Sequence, residues 1–229
     1  MATLPGGTTR TQFVYDELRS AILRGTPGPG APLRLQELGD RFGVSMSVVR
    51  EALTKLAERH LVTNEPNAGF RVVELSREDL VDLVDMRIQF EGLALVRSIE
   101  RGDLDWAGSV VSAHYVLENT PLGPEGGAPG TSDEWSEAHE RFHDALGAAC
   151  GSRRLLSYTR LLRDGAELYR QLSGGGPDDR DVAGEHRRLM ELATTRQPEA
   201  ARLALSEHLQ RTADGVLANV FAHAERSLN

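Results

Sequence analysis

Apolar positions recur three and four residues apart through most of this chain, and only one short stretch departs from that rhythm. Residues 11 to 24, TQFVYDELRSAILR, set Val14, Leu18, Ala21 and Ile22 on one helical stripe. The segment GTPGPGAPL then breaks the helix with glycines and prolines. A short helix, LQELGDRF, follows and ends at Gly43, and a third opens at Ser45. In that third helix, SMSVVREALTKLAERH, the residues Val49, Ala52, Leu53 and Leu56 form the buried stripe, while Met46, Ser47, Arg50 and Thr54 face outward. Ser45 stands at the N-cap, and Val44 with Val49 has the spacing of a hydrophobic staple. The rhythm then changes: LVT and FRVV read as two short strands with EPNAG as the turn between them. A helix-turn-helix followed by a hairpin is a winged helix, and short outward side chains plus an arginine near a helix N-terminus suit entry into a DNA major groove. The plain structural alternative is a small helical domain that happens to end in a hairpin.

From Ser76 onward the pattern is helical throughout. SREDLVDLVDMRIQFEGLALVRSIER opens with Ser76 and Asp79 in capping-box spacing, and Leu80, Leu83, Val84, Arg87 and Glu91 share one side. A second helix covers about DWAGSVVSAHYVLEN, and NTPLGPEGGAPGTS reads as a loop. It lacks the lysine and preceding strand of a phosphate cradle. Thr131 and Glu134 are expected to cap the next helix, which contains HERFH. RRLLSYTRLLRDGAELYRQL and RDVAGEHRRLMELATT follow, separated by SGGGPDD, and the last helix begins at Pro198.

Composition adds a division of charge. The net charge of the 229 residues is −8, which by itself argues against nucleic acid. Residues 1 to 75, however, hold nine Lys/Arg and eight Asp/Glu, leaving 17 basic and 26 acidic residues in 76 to 229. A near-neutral front on an acidic body suggests two domains with different partners. No stretch approaches the roughly 18 apolar residues of a membrane span, and the start lacks a signal-peptide core. With a single Cys150, expected to pack as a small residue, the chain reads as cytoplasmic, without membrane contact.

Candidate chemistry lies in the histidines. HERFH matches H-E-x-x-H, a zinc-protease pattern. The extended version fails, because Leu146 and Ala149 stand where glycine and histidine belong. An inward His143 also turns Glu140 to the surface. His139 and His143 lie one turn apart on one face, His186 is on the next-to-last helix and His208 on the last. Four histidines from three helices can converge inside a bundle to hold a metal, or each can be a buried histidine bonded to a neighbour.

Two resemblances sharpen these readings. The run from VYDELRSAILR to AERHLV and the wing NAGF, about residues 11 to 73, resembles the winged-helix domain of GntR-type transcription regulators, above all in GVSxxxVREALxxLxxxxLV. The resemblance implies that the helix carrying VREAL lies in the groove. Arg50 is then the leading DNA contact, with Ser45, Met46, Ser47 and Thr54 beside it and Asn67 and Gly69 in the wing. Arg34, Arg41, Lys55, Arg59 and Arg71 are available for the backbone or as ordinary surface charges. Family members commonly carry arginine where Met46 and Ala68 stand, and proline at Val48. Losing those cations implies weaker or more salt-sensitive binding, or a different base preference.

Residues 76 to about 215 resemble the FCD domain of the FadR branch of that family, through MRIQFEGLALV, ERFHDALGAACGSRRLL and GEHRRLMELATTRQPEAARLALSEHLQRT. Metal-binding members use an aspartate and a histidine four apart, then two further histidines. Residue by residue this implies His143, His186 and His208 as ligands, with His139 at the aspartate position, which leaves the site one charge more positive.

The expected fold is therefore mainly α: residues 1–75 form a winged helix-turn-helix of three helices plus a β-hairpin wing, and 76–229 an all-α bundle for effector binding and dimerisation. The expected protein is a homodimeric DNA-binding repressor, not an enzyme. It would bind a palindromic double-stranded operator with half-sites roughly 34 Å apart, and respond to a small carboxylate held at a divalent transition metal, zinc or nickel. Arg87 is either a clamp for that carboxylate or the structural partner of Glu91. Two alternatives remain: the same regulator without metal, its histidines touching the effector directly, and a helical-bundle metalloenzyme.

Overall fold

The computed structural model describes residues 9–66, 68–123, 131–172 and 180–221. The chain divides between Ser76 and Arg77 into two compact units.

The first unit holds helices α1 (Arg10–Leu23), α2 (Leu35–Phe42) and α3 (Met46–Ala57) and strands β1 (Val62–Glu65) and β2 (Gly69–Val72). Thr9 caps α1 by accepting from the Gln12 amide at 3.1 Å. The α1 stripe of Val14, Leu18, Ala21 and Ile22 is buried, as is the α3 stripe of Val49, Ala52, Leu53 and Leu56, and the two helices pack together. Gly43 ends α2 at φ 64°, a left-handed conformation that costs glycine little and turns the chain sharply into α3. Ser45 occupies the N-cap of α3, but its side chain makes no cap hydrogen bond and meets the Ser47 hydroxyl at 2.8 Å instead. The hairpin pairs Val62 with Val72 and Glu65 with Gly69, antiparallel.

The glycine- and proline-rich segment after α1 does more than break a helix. Leu33 N–H donates to Phe70 at 2.8 Å, Val72 N–H to Ala31 at 3.0 Å, and Pro32 bridges Arg71. It thus adds a third line of pairing along β2. The reading of GTPGPGAPL as a breaker missed this, because a single bridge with proline in it carries no alternating pattern.

The second unit is a helical bundle: α4 (Arg77–Arg101), α5 (Leu104–Glu118), α6 (Asp133–Gly147), α7 (Arg153–Leu172), α8 (Val182–Thr194) and α9 (Pro198–Val216), with a π-helical turn at Leu217–Phe221. α4 packs against α9, α7 and α6, while α5 lies on α6 and α8. Leu95, Ile99, Trp106, Val110, Phe142, Leu189, Leu205 and Leu209 belong to one core. Trp106 donates its indole N–H to the Ala145 carbonyl at 2.9 Å, which lets a large ring be buried without an orphaned donor. The cap of α6 is Ser132, which accepts from Trp135 N–H at 3.1 Å, one residue beyond the expected Thr131. The Thr131 hydroxyl accepts instead from Arg170 at 2.7 Å. Asp79 accepts from the Tyr169 hydroxyl at 2.7 Å, tying the start of α4 to α7. Among the described residues, no helix is long and apolar enough to cross a membrane.

Candidate metal centre and nucleic-acid interface

The apolar face of α6 that meets the core carries Trp135, Ala138, Phe142, His143 and Leu146. His139, one turn before His143, lies on the edge of that face and is half-buried. His186 sits on the buried face of α8 with Leu189, and His208 on that of α9 with Ala204, Leu205 and Leu209. Each helix therefore turns imidazole inward by the same periodicity that buries its leucines. One nitrogen from each of His139, His143, His186 and His208 lies within 4.8 Å of all the others.

Three observations test whether these rings fit a metal. The ring centroids are separated by 4.5 Å (His139–His143) up to 6.3 Å (His139–His208). Four imidazoles around one ion with metal–nitrogen bonds of about 2.0–2.1 Å would sit about 5 Å apart, so the spacing fits. Second, the Nε2 atoms of His143 and His186 are buried without a hydrogen-bond partner, an expensive condition that a ligand atom relieves. Third, a carboxylate bonds the far nitrogen of His208 and another stands near that of His143. His208 Nδ1 is 2.8 Å from Glu185 Oε2, and His143 Nδ1 is 3.6 Å from Glu91 Oε2. A carboxylate on one ring nitrogen fixes the tautomer and directs the other at the ligand.

Electrostatics keep the rings in the ligand form. Burial pushes His143 down to about 4 despite the pull of Glu91. His139 and His186 are held well below the ordinary histidine value by burial and then by neighbouring imidazoles, and His208 is lowered by burial. All four are neutral at neutral pH, each with a lone pair to give. Burial works against the charge of Glu91, yet Arg87, the nearby His143 ring and Arg163 together hold its carboxyl well below the usual carboxylate range.

Arg87 is thus engaged with Glu91: its Nε donates to Oε1 at 2.7 Å, and both side chains are buried. The Arg87–Glu91 pair that the four-residue spacing allows is therefore present. Beside it, Glu91, His143, Thr159, Arg163 and leucines line a cavity of about 10 Å³, room for one water. Arg163 pairs with Asp144 through one terminal nitrogen, and its Nε is buried without a partner.

Glu140 is exposed on the outer side of α6, so the H-E-x-x-H spacing brings no general base to the cluster. Two contributors were not foreseen. Trp135 stacks on His139 with centroids 4.7 Å apart and planes 17° from parallel. Its position one turn before His139 was the available signal. Glu185 is adjacent in sequence to His186 but serves His208 on another helix, a relationship no local pattern announces.

In the first unit, Ser45, Met46, Ser47, Arg50 and Thr54 are all exposed along one side of α3. The Thr54 hydroxyl donates to the Arg50 carbonyl at 2.9 Å. Gly69 is exposed at φ 72° in the wing turn, and Asn67 lies outside the described residues. Arg34 pairs with Glu37 at 2.9 Å on the surface, an arrangement that binds weakly and can be given up for phosphate. Arg71 donates to the Gly30 carbonyl at 2.9 Å and so holds the wing to the preceding segment.

A winged helix-turn-helix followed by an all-helical domain defines a class of DNA-binding transcription regulators. Residues 10–72 match the model of the bacterial regulatory proteins of the gntR family, and residues 82–211 match that of the FCD domain. The chain belongs to the GntR family, in its FadR subfamily with an FCD domain. It is 32% identical over 204 residues to BphR of Paraburkholderia xenovorans, described as an uncharacterized HTH-type transcriptional regulator, covering 87% of this chain and 82% of that protein. It is 33% identical over 156 residues to the HTH-type transcriptional repressor GlaR of Escherichia coli, covering 68% of this chain and 70% of that one. A solved structure of a GntR regulator from a Rhodococcus species superposes with a TM-score of 0.72 at 27% identity, covering 92% of this chain and 99% of that one. These relatives are transcriptional regulators, not enzymes.

Proposed function

We propose that the protein is a repressor that acts as a homodimer on a palindromic double-stranded operator and responds to a small carboxylate bound at a metal in its second unit. The α3 helix enters the major groove, Arg50 contacts a base, and Ser45, Ser47 and Thr54 flank it; Gly69 and Asn67 bring the wing to the backbone, and Arg34 reaches a phosphate. Such a regulator works where the chromosome is, in the cytoplasm. The repressor assignment draws support from relatives such as GlaR, which is described as a repressor.

The observation that carries the metal reading is the cluster itself: four neutral imidazoles, two with orphaned inward nitrogens, one anchored from behind by Glu185 and one with Glu91 close behind it. His139, His143, His186 and His208 would hold a divalent transition ion, with zinc and nickel both suited to an all-imidazole set. When bound, the ion supplies positive charge and open coordination positions for a carboxylate oxygen. His139 stands where an anionic ligand would lower the charge of the site, so the set favours an anionic effector. Arg87 serves by holding Glu91, which in turn orients His143.

The cavity beside the cluster has room for one water, so an effector entering there must part the helices that line it, α7 from α4, α6 and α9. That separation is the change by which an effector can favour one state of the protein, since only differential affinity moves such an equilibrium.

Elemental mass spectrometry on tag-free protein tests the reading. Wild type should carry about one transition ion per chain and His143→Ala should lose it. Wild type that stays free of metal after incubation with zinc and with nickel would overturn the metal centre, and leave histidines that meet the effector directly.

A further inference from the structure

Among the described residues of the first unit, Met46 is the one large hydrophobic side chain left exposed, at 51%. It is the first helical residue of α3, and Arg50 follows one turn later on the same side. Folding does not account for its exposure. The inward stripe of α3 is complete in Val49, Ala52, Leu53 and Leu56, each fully buried, and Met46 lies off that stripe. The two hydroxyls beside it, Ser45 and Ser47, are bonded to each other at 2.8 Å, so the first turn offers less polar reach than its composition suggests.

An apolar side chain presented to water gains nothing there, and in a major groove it meets only one apolar group, the C5 methyl of thymine. Methionine is unbranched and flexible at three bonds, and so can follow that methyl without demanding one docking angle. We propose that Met46 reads a thymine methyl in each operator half-site, making this position a thymine-specific contact where a cationic side chain would select guanine. The inference rests on the placement of α3 in the groove.

The test uses the full-length protein and a pool of random duplexes, from which the preferred site is selected. Each thymine of that site is then replaced by uracil, which keeps the pairing and removes only the methyl. One thymine per half-site should lose about fourfold in affinity, the worth of one buried methyl group. Met46→Ala should bind the thymine and uracil duplexes equally, with an unchanged melting temperature because the residue is exposed. Met46→Arg should shift the selected base at that position toward guanine. Wild type indifferent to every uracil replacement, or discrimination that survives in Met46→Ala, overturns the methyl contact. If the selected site binds wild type but not Arg50→Ala, the groove placement stands even when the methyl contact falls. A pool that enriches no sequence overturns both.

Discussion

His208 Nδ1 lies 2.8 Å from Glu185 Oε2, and this one hydrogen bond joins α9 to α8 and turns the other nitrogen of the ring toward the histidine cluster. Glu185 does not stand alone. Arg180 grips both of its oxygens while also donating to the His208 carbonyl at 3.1 Å, and Arg211 reaches Oε1 at 3.1 Å. Burial opposes the charge of Glu185, but the bonds to His208 and Arg180 hold its carboxyl well below the usual range. The chain Arg180–Glu185–His208 is thus a fixed carboxylate behind a nitrogen of the histidine cluster.

Replacing that carboxylate by an amide should loosen the metal without removing a ligand. Glu185→Gln can keep an oxygen acceptor for the His208 N–H, and loses the charge together with the second acceptor oxygen, whose place an amide NH2 takes beside the arginines. Metal affinity, measured by competition with a chelator, should fall about 10- to 100-fold while the saturated stoichiometry stays the same. Equal affinity in mutant and wild type would show that Glu185 does not support the centre.

Acid should destabilise the metal-free protein through the same histidines. Their folded-state values lie below the unfolded value of about 6.5, so above that pH both states are neutral and the full stability is present. As pH falls, the unfolded chain takes up protons that the buried rings refuse, and stability is lost progressively toward the folded value of His143, about 4. Denaturant midpoints of chelator-treated protein should therefore be lower at about pH 5 than at about pH 7.5, and metal loading should fade over the same range because protons compete for the same lone pairs. Coincident midpoints at the two pH values would contradict the buried, neutral state of the cluster.

The sequence disclosed those elements whose cause is periodic. The α1 stripe of Val14 and Leu18, the α3 stripe of Val49 and Leu53, and the inward placement of His143, His186 and His208 all follow from the helical repeat. What it left open has a different cause. Arg87 and Glu91 are four apart, a spacing that permits a pair without requiring one, and the buried contact between them, with His143 alongside, is a matter of packing. The pairing of Ala31 and Leu33 with β2 depends on a long-range approach, and so does the reach of Glu185 to α9. The cap of α6 moved from Thr131 to Ser132 because either hydroxyl could serve locally and Arg170 engages the first.

Arg50 is exposed on α3, and no burial depends on its side chain. Arg50→Ala should consequently leave the melting temperature unchanged. If the guanidinium contacts a base, operator affinity should drop by about 1–3 kcal/mol per contact, roughly fivefold to 150-fold. A gel shift in which the mutant retains wild-type affinity would remove α3 from the groove.

The stacking of Trp135 on His139 makes metal binding visible without a chelator or a mass spectrometer. The chain has two tryptophans. Both lie in the core, but Trp106 is fixed by its bond to the Ala145 carbonyl, whereas Trp135 has the His139 ring 4.7 Å from its own, near parallel, and the Arg170 guanidinium 4.9 Å away. A ring that donates its lone pair to a cation becomes electron-poor and is fixed in orientation, and the indole against it must register both changes. Titrating metal-free protein with zinc should therefore alter the tryptophan fluorescence and saturate at about one ion per chain. Trp106→Phe should keep the signal and Trp135→Phe should lose it while still binding zinc by mass spectrometry. A zinc-dependent signal that follows Trp106 instead would place the ion away from His139, and reduce the site to the three histidines whose rings are fully buried.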